Sequence, residues 1–147
     1  MQEASDQRPL IGEILIKRNV ITPQQLEEAL SIQKQEKCFL GEILVKHGHV
    51  EERDIVVALV VQCGFPYIAI NKCQIDSEVL KKLPKKVCQE NHLIPMDCVG
   101  DILSLVMTNP LSDSKRQEIE NLTGCKIATF ISTKTEIEQA ISKWYPA

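Results

Sequence analysis

No run of five or six like charges occurs in this chain, and its formal net charge is only −3. That balance gives no sign of broad electrostatic affinity for nucleic acid or acidic lipid, so any anion it binds must be met by local donors. No apolar stretch approaches the roughly 18 residues that a membrane-spanning helix needs, and direct insertion into a membrane is not expected. The amino terminus, MQEASDQRPL, is polar and acidic where a secretory signal is first basic and then apolar. Six cysteines are scattered without a C-x-x-C pair, which reads as buried or half-buried thiols of a reducing compartment rather than a metal or disulfide framework. A cytoplasmic location is the expectation. The glycines form no G-x-x-x-x-G-K-[ST] loop, so ATP hydrolysis is not expected, and no cysteine carries a local signature pairing it with His92. His47-Gly48-His49 offers two imidazoles, too few for a good metal site, and an exposed turn is the preferred reading.

The first half of the 147 residues is written twice. The segment Leu10 to Gln33 recurs from Phe39 to Gln62, aligning Gly12 with Gly41, Glu13 with Glu42, Ile14-Leu15 with Ile43-Leu44, Lys17 with Lys46, and Gln33 with Gln62. Each copy of such a repeat is one supersecondary unit that needs a neighbour to bury its apolar face. Two similar units also suit a roughly symmetric ligand.

Each copy reads as a short helix, a turn and a longer helix. Ile11, Ile14 and Leu15 fall at helical spacing, and Asn19, or Gly48 in the second copy, suits the left-handed conformation that ends a helix. Thr22 is a good N-cap, Pro23 suits the first helical position, and Gln25 closes a capping box. Leu26, Ala29, Leu30 and Gln33 share one face of the longer helix. The spacer Lys34-Gln35-Glu36-Lys37-Cys38 is short enough to keep the copies in contact.

After Gln62 the pattern changes, with a boundary near Gly64. Tyr67 to Ile70 reads as a strand, Asp76 to Leu83 as a helix stopped by Pro84, and Lys85 to Asn91 as a further helical turn or two. Leu93 to Val99 and Ile102 to Thr108 read as a hairpin about Gly100-Asp101. Ser112 to Thr123 is helical with Gly124 as its C-cap, and Lys126 to Ser132 is a strand. Thr133-Lys134-Thr135-Glu136 opens a last amphipathic helix that runs to Trp144. The expected architecture is α+β: a duplicated helix-turn-helix, four-helix subdomain over 1–64, then a small α/β subdomain over 65–147 with about three strands, its sheet covered on one face by helices.

These residues resemble the amino-terminal domain of the assembly ATPases of type II secretion and type IV pilus systems, the MshEN domain. The family pattern is R-L-G-x-x-(two apolar)-x-x-G-(apolar)-(apolar), then L-x-x-x-L-x-x-Q, given twice. Ile11-Gly12, Leu15-Ile16, Val20-Ile21, Leu26, Leu30 and Gln33 match the first copy. Leu40-Gly41, Leu44-Val45, Gly48, Val50, Ile55, Leu59 and Gln62 match the second. The stretch from Val79 through His92-Leu93-Ile94-Pro95 to Asn109-Pro110 looks like the α/β half of the same domain. The chain departs from the pattern at the arginine positions, which hold Leu10 and Phe39; Arg8 stands two residues early. Asn19 replaces a glycine, His49 occupies an apolar position, and Asn109 stands where an Asp is common.

In such domains the duplicated half binds cyclic di-GMP. The resemblance implies a ligand set of Arg8, Leu10, Ile11, Gly12, Leu15, Gln33, Phe39, Leu40, Gly41, Leu44, Leu59, Gln62 and Asn109, with no metal and no cofactor. A glycine lets backbone approach a phosphate, apolar positions pack on ribose and base, and a glutamine donates and accepts. The basic residues Arg8, Lys17, Arg18, Lys34, Lys37 and Lys46 would form a positive rim, or are ordinary surface charge. The apolar repeat positions are equally well pure core, and for Phe39 core is preferred over stacking. Trp144-Tyr145 is read as helix packing ahead of a protein contact. The implied function is a non-catalytic regulatory and docking module that binds cyclic di-GMP. The alternative is an interaction adaptor of the secretion or pilus machine that has lost nucleotide binding. Its partner would be an inner-membrane platform protein, which recruits it to the membrane, or an ATPase core. A third reading is a regulator that acts alone.

Overall fold

The computed structural model describes residues 10–36 and 38–145. The chain divides into two compact units, one ending at Gly64 and one beginning at Phe65.

In the first unit, α1 (Ile11–Lys17) and α2 (Pro23–Gln35) form one copy of the repeat, and α3 (Leu40–Lys46) and α4 (Glu52–Cys63) the other. The local signals act as their chemistry dictates. Thr22 Oγ1 accepts the Gln25 N–H at 3.1 Å while Gln25 Oε1 accepts the Thr22 N–H at 2.9 Å, a reciprocal capping box. In the second copy Asp54 Oδ2 accepts the Glu51 N–H at 2.9 Å. Asn19 (φ 61°) and Gly48 (φ 76°) both take the left-handed conformation after their short helices. Packing crosses between the copies: α1 lies against α4, and α2 against α3. Neither short helix is long enough to hold itself in water, so each borrows the long helix of the other copy. Leu15 and Leu44, equivalent positions, are fully buried, with Ile43, Ala58 and Leu59 beside them in the core.

In the second unit, β1 (Leu93–Val99), β2 (Ile102–Met107) and β3 (Lys126–Ile131) form one sheet in that order. β1 and β2 pair antiparallel and β2 and β3 pair parallel; the parallel pair requires a crossover, which α7 (Asp113–Thr123) supplies. Pro95, which can donate no ladder bond, sits on an edge strand beside a register shift between Pro95 and Asp97, where such a residue is tolerated. Leu103, Leu105, Met107 and Ile131 are fully buried, under α5 (Ser77–Leu80), α6 (Lys85–Asn91) and α8 (Lys134–Trp144), all of which pack on β1.

Two local expectations are corrected. The segment Tyr67 to Ile70 is not a strand: Tyr67 makes one parallel bridge to Ile131 and the chain then turns through a 3₁₀ segment, Ile70–Lys72. Only Pro66–Ile68 reaches β3, with the Ile131 N–H donated to Pro66 O at 2.8 Å and the Ile68 N–H to Ile131 O at 2.9 Å. The helix expected from Asp76 to Leu83 spans Ser77–Leu80 alone. Pro84 has no N–H to give the Leu80 carbonyl, and a residue before proline is driven out of the helical region. The Leu83 N–H reaches Leu80 O at 3.4 Å, and the Tyr145 O–H, from far along the chain, lies 3.0 Å from both Leu80 O and Leu83 O.

Candidate functional site

The repeat builds two equivalent places. Leu10 (φ −70°, ψ 151°) and Phe39 (φ −72°, ψ 145°) cap α1 and α3 in almost identical backbone conformation. Leu10 is 45% and Phe39 51% exposed, although core was preferred for Phe39. One residue on, Ile11 and Leu40 are half-buried. Gly12 and Gly41 are buried, each facing the long helix of its own copy: a Cβ on Gly12 would lie 2.7 Å from Leu26 Cδ1, and one on Gly41 2.9 Å from Ile55 Cγ2. Both glycines thus have a packing reason to be glycine. Leu15, Leu44 and Leu59 are buried behind them.

Gln33, half-buried at the end of α2, donates from Nε2 to Cys38 O at 3.2 Å. That bond sets it beside the residue preceding Phe39, so the glutamine of the first copy meets the cap of the second. Gln62 of α4 is the equivalent residue of the second copy, and α4 packs on α1. Gln62 is half-buried, and its Oε1 accepts from Cys63 Sγ at 3.7 Å. The place at Phe39 therefore combines a cap and glycine from the second copy with a glutamine from the first. Leu30 and Leu59, equivalent in sequence, part company: Leu59 is core and Leu30 is 41% exposed. Arg8 and Lys37 lie outside the described residues, and Asn109, half-buried in the loop after β2, belongs to the other unit.

Sequence reasoning missed a contact between the copies. Because Gln25 Oε1 is engaged by Thr22, its amide nitrogen faces His49 Nδ1, 3.3 Å away, and the imidazole nitrogen accepts. The signal was present in the departure from the apolar pattern at His49. His47 and His49 lie with ring centroids 6.3 Å apart. Among the described residues no group of three or more His, Cys, Asp and Glu is gathered for a metal.

The α/β unit carries perturbed groups of its own. Burial works to raise the Glu136 carboxyl, but hydrogen bonds from Tyr67, the Thr133 N–H, Ser132 and the Thr133 hydroxyl outweigh it and hold the group below its ordinary range. Tyr67 O–H donates at 2.6 Å, and Ser132, fully buried, at 2.9 Å. Burial pushes the Cys88 thiol up to about 11, a hydrogen bond with Tyr145 opposing it only in part; the Tyr145 phenol is also raised, first by burial. These groups pin α8 and the Pro66–Ile68 segment. An open depression of about 500 Å³ beside α8 is lined by Thr135, Glu138, Gln139, Ser142 and Lys143, all from one helix. No helix among the described residues is long and apolar enough to cross a membrane.

Comparison with known proteins bears on both units. The type IV pilus assembly ATPase PilB of Myxococcus xanthus (strain DK1622) is 30% identical over 135 residues, which cover 92% of this chain and 24% of that protein. The chain thus spans about a quarter of the length of this curated relative. Among solved structures, that of MshE with cdg is similar with a TM-score of 0.80 at 22% identity, covering 94% of this chain and all of the other. The N-terminal domain of XpsE is similar with a TM-score of 0.79 at 22% identity, covering 98% of each. These two likenesses establish the fold: helices and a three-stranded sheet in the arrangement of MshE and of the N-terminal domain of XpsE. The MshEN domain family matches residues 63–147, more than half of the chain, and the chain belongs to that family.

Proposed function

We propose that this chain is a non-catalytic regulatory and docking module whose duplicated helical unit binds cyclic di-GMP. The observation that carries the reading is the repeated construction: two exposed cap residues in almost identical backbone conformation, each followed two residues on by a buried glycine, with Gln33 of the first copy set beside the cap of the second. A ligand with two guanines and two phosphates related by a two-fold axis matches two such places. The similar fold of MshE, solved with cdg, supports the same ligand class. Leu10, Ile11, Gly12 and Gln62 would serve one half and Phe39, Leu40, Gly41 and Gln33 the other, with Leu15, Leu44 and Leu59 supporting from the core. A ligand-dependent change would pass to a pilus or secretion partner, either an ATPase core or an inner-membrane platform protein.

The test is isothermal titration with cyclic di-GMP, with GTP and cyclic di-AMP as controls. Selective binding, weakened about tenfold by Gln33→Ala or by Gln62→Ala as loss of one or two hydrogen bonds implies, supports the reading. No heat at high ligand concentration removes it. A second reading, an interaction adaptor without nucleotide binding, is favoured by the exposed Leu10, Phe39 and Leu30. Neither cap carries a charge to set against phosphate, so the same titration separates the two.

A further inference from the structure

Around the corner between α5 and α6 the sequence reads Lys81-Lys82-Leu83-Pro84-Lys85-Lys86. The two apolar residues in the middle keep this segment below a run of five like charges. In the fold, however, Leu83 turns inward and is 1% exposed, held by the Tyr145 hydroxyl on the Leu80 and Leu83 carbonyls. Lys81, Lys82 and Lys86 are exposed and Lys85 is half-buried. Among the described residues the only ion pair made by these lysines joins Lys81 to Glu78, at 3.0 Å, with both side chains about three-quarters exposed; such a pair is readily displaced. The first turn of α6 carries Lys85 and Lys86 and no acidic residue, which places positive charge against the helix's own dipole. The local stability of α6 therefore gives no reason for lysine there.

We propose that Lys81, Lys82, Lys85 and Lys86 dock this chain on a surface of anionic lipid headgroups, by charge and without insertion. The chemistry of the patch favours lipid over protein. None of the exposed large apolar side chains among the described residues lies between Ser77 and Asn91, so the helices that carry the lysines supply no aromatic or aliphatic anchor of the kind on which protein interfaces concentrate their affinity. All four cations are lysine, a hydrated point charge suited to a field of phosphates, rather than arginine with its two-pronged grip on one carboxylate. Four lysines near an anionic surface are at the lower end of what suffices for electrostatic recruitment.

The experiment is sedimentation of the whole chain with vesicles of equimolar phosphatidylglycerol and phosphatidylcholine, against vesicles of phosphatidylcholine alone. Binding is expected to the anionic vesicles only, and to weaken as salt is raised. Neutralising all four as Lys81→Gln, Lys82→Gln, Lys85→Gln and Lys86→Gln should lower the partition by on the order of tenfold to a hundredfold. A charge-matched variant, Lys17→Gln, Lys72→Gln, Lys115→Gln and Lys126→Gln, should stay within about twofold of the unaltered chain, since none of these residues belongs to the segment Lys81 to Lys86 or to the helix that holds it. Thermal unfolding of each variant checks the fold, and Lys81→Gln with Lys82→Gln alone serves if the fourfold variant is unstable. Equal binding to both vesicle types, no binding to either, or the same loss from the control set would overturn the proposal. Capture by polyglutamate without any vesicle binding would overturn it in favour of an acidic polypeptide.

Discussion

The two repeat glycines look interchangeable in the sequence, yet their neighbours differ in stiffness. A methyl group on Gly12 would meet the outer carbons of Leu26, a half-buried side chain that can rotate away; one on Gly41 would meet the branched Cγ2 of buried Ile55. Replacing glycine by alanine inside a helix gains up to about 1 kcal/mol of propensity, while overpacking costs about 1–3 kcal/mol. Gly12→Ala should therefore be close to neutral in urea unfolding, and Gly41→Ala destabilising by about 1–2 kcal/mol. The reverse order would mean that the α1–α2 contact is the tighter one. Tyr145→Phe removes the donor that serves two carbonyls near a proline, and should cost about 1–3 kcal/mol. Cys88, whose thiol is pushed up to about 11 by burial, should resist alkylation at neutral pH until the protein is unfolded. Fast labelling in the native protein would contradict its burial.

At the scale of the element, α8 and the segment before it are joined through one carboxylate. Glu136 caps its own helix through Thr133 and receives Tyr67 and Ser132 as well. Its folded pKa lies below the unfolded value, so the stabilisation is fully present above the ordinary glutamate range and is lost as pH falls through the folded pKa. Acid unfolding should show this loss on the acidic side of roughly pH 4.3. Glu136→Gln should lower stability at neutral pH and flatten that part of the profile; an unchanged profile would assign the acid sensitivity to other carboxylates. Many local signals in these elements were legible because they depend on residues three or four apart. The Thr22 and Thr133 caps, the left-handed Asn19 and Gly48, the Gly124 C-cap and the hairpin about Gly100 follow from such residues and are present. The length of α5 was not legible, because its last carbonyl, Leu80 O, is met in part by the Tyr145 hydroxyl, more than sixty residues away. Nor was the single bridge at Tyr67, whose neighbours alternate like a strand but meet only the end of β3.

At the scale of the whole molecule, the division at Gly64 makes a prediction of its own. A fragment of residues 65–147 should unfold cooperatively on its own, since the sheet and the helices packed on it all lie within it. Cyclic di-GMP at a hundred times its dissociation constant should stabilise the helical unit by about 2.7 kcal/mol and leave that fragment's melting temperature unchanged. A shift in the isolated fragment would move the ligand site out of the repeat.

The sequence by itself determined the duplication, the secondary-structure periods, most helix ends and the family resemblance, because each follows from spacing along the chain or from the φ and hydrogen-bonding limits of single residues. It did not determine which helix packs on which. Equivalent residues such as Leu30 and Leu59 read alike, and only the packed structure separates them into surface and core. Tertiary packing also brought Gln25 to His49. That contact joins segments distant in sequence, and burial, which is a property of the packed molecule, has no local code.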